Sequence, residues 1–198
     1  MFATLMFLAT AATAPAPEHV VVILPFGKVN PATIEAVSAA VIEAADVKIR
    51  VDPQRPLPKD AWYAPRKRWR AEKFLDAIDA DPPEGAWKVL ALTQVEISTT
   101  KNEFPDWGIV GLGNVGGLSS VTSTHIFKKW SKTDAVFLRR VTDSAVHEFG
   151  HTLGLDHCES TGCVMRDAKG KAVTSADTST GHFCEVCHGI VGDDDVLK

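Results

Sequence analysis

Residues 147–157 read HEFGHTLGLDH, and this stretch limits the possible folds more than any other. Leu138, Val141, Ala145 and Phe149 recur around it at helical spacing, with Thr152 or Leu153 continuing the stripe. A helix here places His147 and His151 on one face, about 6 Å apart along the axis. Glu148 is rotated from His147 by about 100°, so it leaves that face but stays within reach of anything the imidazoles hold. Gly154 can take the left-handed conformation that ends a helix, and the turn carries His157 back toward the pair. The fold must therefore contain a long helix closed by a glycine turn.

Three imidazoles with a fourth position left for water form the donor set of a catalytic zinc, which lowers the pKa of water to about 7 and polarises a carbonyl. Glu148 is placed to take the proton of an attacking water and to return it to a leaving amine. Three unrelated surface histidines would account for neither the glutamate nor the glycine. The expected activity is zinc-dependent hydrolysis of peptide bonds, with endo- or exo-cleavage left open.

All four cysteines follow directly: Cys158, Cys163, Cys184 and Cys187. C-x4-C and C-x2-C are two chelating pairs, the pattern of a closed four-thiolate structural zinc. Such a site would staple the Ser/Thr/Asp-rich C-terminal segment to the end of the helix, and Cys158 adjoins His157. Two disulfides, in any of three pairings, are the competing reading.

HEFGHTLGLDHC, together with Cys163-Val164-Met165 and Cys184-Glu185-Val186-Cys187, resembles the archaemetzincin family of zinc metallopeptidases over the last quarter of the chain. The resemblance implies a catalytic zinc on His147, His151 and His157, Glu148 as acid and base, and a second zinc on the four cysteines. It implies that Met165 forms a methionine turn beneath the metal site, where a polarisable thioether packs under the histidines. The glycine-rich segment from Gly111 to Thr124 resembles the family's cleft-forming edge strand.

The rest of the chain sets the fold class. HVVVILPF (19–26), residues 47–51 and KVLALTQVEI (88–97) read as strands; Asn30-Pro31 starts a helix running to about Ala45, and Ala71, Phe74, Leu75 and Ile78 mark another over residues 65–80, after a Pro-rich loop. Alternation of strand and helix predicts α/β (α+β), a single domain with a mixed twisted sheet and helices on its faces, and the resemblance implies that this domain is metzincin-like. The chain's 198 residues suit one domain, residues 18–198.

Residues 1–17 carry no charge, and the apolar run from Phe2 to Ala14 is too short to span a bilayer. A cleaved export signal over residues 1–14 is the expectation, giving a periplasmic or secreted protein; a disordered start to a cytoplasmic one is the alternative. The basic cluster Arg66, Lys67, Arg68, Arg70 and Lys73 around Trp69 reads as a solvated helix face, since Glu72, Asp76 and Asp79 follow and the net charge is -4. Expected partners are peptide or protein substrates met by a monomer, with no nucleic acid and no membrane span. The rival function is a zinc-stabilised module that binds nucleic acid or protein without catalysis. His19, His125, His182 and His188 are weaker candidates as ligands.

Overall fold

The β-branched run becomes β1 (Val20–Phe26), and Asn30 caps α1 (Pro31–Ala44), its side-chain oxygen accepting from the Ala32 N–H at 3.0 Å. Pro31 fits because the first helical N–H has no partner in any helix. β2 (Lys48–Val51) then runs parallel to β1. This computed structural model describes residues 19–191 and 196–198. The expected export signal lies outside the described residues.

The helix expected over residues 65–80 is shorter. β3 (Trp62–Tyr63) and β4 (Arg68–Arg70) come first, and α2 (Ala71–Ala80) begins only after them. Trp69 pairs across to Trp62 on one side and to Ile97 on the other, with the two indole centroids 5.4 Å apart. These partners are distant in sequence, so local helical spacing could not reveal them.

The strand expected over residues 88–97 is two strands, β5 (Lys88–Thr93) and β6 (Ile97–Lys101), because the chain crosses between sheets at residues 94–96. β7 (Phe104–Ile109) folds back on β6, and β8 (Gly111–Gly113) and β9 (Ser119–Ser123) follow. Then come α3 (His125–Trp130), α4 (Asp134–Thr152), α5 (Ala172–Thr178) and α6 (Glu185–Val191). The Ser/Thr/Asp-rich stretch thus contains a helix, α5. Its Asp177 is clamped by Arg139 and Arg140 of α4 at 2.6 and 2.7 Å.

One sheet runs β2-β1-β5-β9-β8 and the other β3-β4-β6-β7. In the first, β2, β1, β5 and β9 are parallel, while β8 is antiparallel at the edge. Alternate residues of β1 face opposite ways, as a pleated strand requires. Val21 and Ile23 join α1, α4 and the C-terminal segment in one core cluster, whereas Val22, Leu24 and Phe26 join α2 in another. A sheet buried on both faces explains the continuous apolar run of β1. The fold is mixed α/β and forms a single domain, and it sets α4 beside the edge strand β8.

Candidate active site

α4 supplies the long helix. Thr133 caps its start, accepting from the Val136 N–H at 3.3 Å. At its end Gly154 adopts φ +91°, with Leu155 N–H donating to the Gly150 carbonyl and Gly154 N–H to that of His151. That pair of bonds is the Schellman closure which a left-handed glycine permits. The chain then reverses, and His157 reaches the other two imidazoles, its ring centroid 5.3 Å from that of His147 and 5.0 Å from that of His151.

Two rings are oriented by backbone carbonyls: His147 Nδ1 donates to Val164 O at 2.8 Å and His151 Nδ1 to Leu155 O at 2.7 Å. With the proton on Nδ1, each Nε2 lone pair is free for a metal. The two Nε2 atoms stand 3.1 Å apart. Nitrogens bound tetrahedrally to zinc would stand about 3.3 Å apart, so the spacing fits. Burial holds His147 near 4 and lowers His151, so both are neutral at physiological pH, the form in which an imidazole can bind a metal.

Glu148 is buried, and loss of hydration pushes its carboxyl up to about 8. Two glycines of β8 make room for it. A Cβ on Gly111 would come within 2.6 Å of the Glu148 Cγ and Cδ, and one on Gly113 within 2.8 Å of the Glu148 carbonyl oxygen. His147, Glu148 and His157 all line a cavity of about 510 Å³.

The four thiols gather separately. Cys158 and Cys184 Sγ lie 3.6 Å apart, Cys163 and Cys187 3.6 Å, Cys184 and Cys187 3.8 Å. A disulfide needs about 2.05 Å, so these are free cysteines rather than the alternative disulfide pairs. Sulfurs around a tetrahedral zinc stand about 3.8 Å apart, a close fit. Met165 is fully buried in the turn closed by Arg166 N–H on the Cys163 carbonyl, and its thioether lies against Gly150 of α4.

The described residues hold two such metal-ready groups, and neither includes His19, His125, His182 or His188. His19 stacks on Trp87, His125 lies 3.7 Å from Glu96, and His182 lies 3.9 Å from Glu43. The basic cluster sits on β4 and its flanks rather than on one helix face. Members of it pair with carboxylates, Arg68 with Glu96 at 2.9 Å and Lys73 with Asp76 at 2.8 Å. The sequence reading missed Asp143, which also lines the cavity. Its signal was available: Asp143, His147 and His151 recur every four residues.

A family model described as Peptidase family M54 matches residues 69–191. The archaemetzincin of Natronomonas pharaonis is 29% identical over 173 residues, 83% of this chain and 95% of that protein. The crystal structure of archaemetzincin from Archaeoglobus fulgidus superposes with a TM-score of 0.70 at 26% identity, covering 86% of this chain and 98% of that one. That from Methanopyrus kandleri gives 0.76 at 22% identity, covering 91% and 97%, and shows the shared fold. With the family match spanning more than half of its length, the chain belongs to Peptidase family M54, a family of zinc metallopeptidases.

Proposed function

We propose that His147, His151 and His157 hold the catalytic zinc, that Glu148 moves the proton of the attacking water, and that Cys158, Cys163, Cys184 and Cys187 hold a second, structural zinc. The observation that carries this reading is the convergence of three imidazoles, two of them oriented by backbone carbonyls, beside a buried carboxyl, with His147, Glu148 and His157 lining one cavity. Zinc in the imidazole set supplies a Lewis acid that acidifies water and polarises a carbonyl.

The chain's own groups do the rest. Glu148 titrates near 8 from burial alone, and a neighbouring dication would lower it from there. A carboxyl in that position can both take a proton from water and return it to the departing amine. β8 pairs with β9 on one side only, so its other edge can accept an extended peptide by strand addition. Gly111 and Gly113 keep that edge close to Glu148.

Glu148→Gln tests the assignment because it keeps the shape but removes the titrating group. Two zincs per chain by native mass spectrometry, with hydrolysis down by about 100-fold or more, is the expected result. Retained hydrolysis would remove Glu148 from the mechanism. A chain that binds one tightly held zinc and cuts no peptide would favour the binding module instead.

A further inference from the structure

We propose that Asp143 makes the cleft selective for a substrate side chain that ends in a cation, lysine or arginine, next to the bond cleaved. The proposal rests on the peptidase reading and deepens it. The cavity beside His147 has apolar walls from Ile126, Phe127, Trp130, Val164 and Val173. Its polar lining on the α4 and α5 side comes from Asp143, Ser144, Thr174, Ser175 and Ser179, with Lys171 at the start of α5, and Lys101 and Arg166 line it away from Asp143 in sequence. Of the residues lining it, Trp130 is 63% exposed whereas Asp143 is 7% exposed and so largely shielded from water.

Asp143 is left short of partners there. Its Oδ2 is buried without a hydrogen bond. Arg139 and Arg140, one turn earlier on α4, are both committed to Asp177, at 2.6 and 2.7 Å. Burial raises the Asp143 carboxyl to about 6, opposed by a Ser179 hydroxyl contact and by the charges of Arg139 and His182. It is thus largely ionised at neutral pH with incomplete compensation, a condition that a cation of the right length relieves. Lysine and arginine have the matching build, with a methylene stem for the apolar walls and a charged end for Asp143. A leucine or glutamate side chain would leave the carboxylate unpaired or repelled.

The test uses pairs of peptides that differ only by lysine or norleucine at one position, scanned across the cleaved bond. Norleucine keeps the stem and removes the charge. Cleavage by the zinc-loaded full chain and, separately, peptide binding to Glu148→Gln by calorimetry are both measured. The lysine peptide is expected to be preferred by about tenfold or more at one position adjacent to the bond, and Asp143→Asn is expected to bring the ratio toward one. Equal treatment of the two peptides by the wild-type chain overturns the proposal, and this needs no variant. A uniform loss in Asp143→Asn with the ratio intact also overturns it, since it marks a merely structural carboxylate. If no peptide is cut but the lysine peptide binds more tightly in an Asp143-dependent way, the peptidase reading falls and the cation pocket stands.

Discussion

The imidazole set and the thiolate set meet at neighbouring residues, His157 and Cys158, yet they depend on the fold in opposite ways. Two of the three imidazoles come from one well-capped helix packed on a buried sheet, and backbone carbonyls aim their rings. The thiols come from turns and from the start of short α6. Their surroundings pull the proton affinities of these thiols apart. Burial raises Cys163 and Cys187, while Cys184, although burial acts upward on it too, is brought to about 6 by converging hydrogen bonds from Ser160, Cys187 and the other thiols. The first set is a product of the scaffold, whereas the second has to help make it.

Cys187→Ser should break that contrast with the largest effect, since structural zinc contributes on the order of 10 kcal/mol to folding. Zinc content should fall below two per chain. Amide exchange should accelerate across residues 158–191, while β1, β5 and β9 stay protected. Because His157 adjoins Cys158, hydrolysis should also drop. Full protection of residues 158–191 in this variant would show that Val164, Met165, Ala176 and Phe183 hold the segment by packing alone.

The same contrast explains what could be read without coordinates. The donor residues were legible because their geometry is local: four residues make one helical turn, a left-handed glycine ends it, and C-x2-C brings two sulfurs together. β4 was hidden because Arg68-Trp69-Arg70 is held by Trp62 and Ile97, which no local period reports. The crossing at Gln94-Val95-Glu96 was hidden because Val95 and Ile97 continue the alternation of one strand, although the stretch serves two sheets. α5 was hidden because its order comes from the Arg139 and Arg140 clamp on Asp177 rather than from helix propensity. Asp143 needed both α4 and α5 in place before its missing partner could be seen.

Two substitutions on β8 sharpen the claim that the scaffold makes the first set. An alanine methyl at position 111 would displace the Glu148 side chain, whereas one at position 113 would meet the Glu148 carbonyl oxygen and the His151 Cβ, both at 2.8 Å. A side chain can rotate away more easily than a helix backbone can move. Gly111→Ala should therefore cost activity, about tenfold or more, with two zincs retained. Gly113→Ala should instead cost stability, about 1–3 kcal/mol by denaturant titration. The reverse pattern would mean that β8 does not set the position of Glu148.

Met165 gives the smallest effect and the most direct comparison, because it touches both regions. Its carbonyl accepts from the Cys158 N–H at 2.9 Å, and its thioether fills the space under Gly150. Leucine nearly conserves the volume and leaves the backbone bond in place, so Met165→Leu should cost less than about 1.5 kcal/mol and keep both zincs. If the thioether serves only as filler beneath α4, hydrolysis should follow stability and change little. A fall in imidazole-site zinc affinity at unchanged stability would instead assign the sulfur a specific part in setting the histidines, and the helix alone would no longer account for that site.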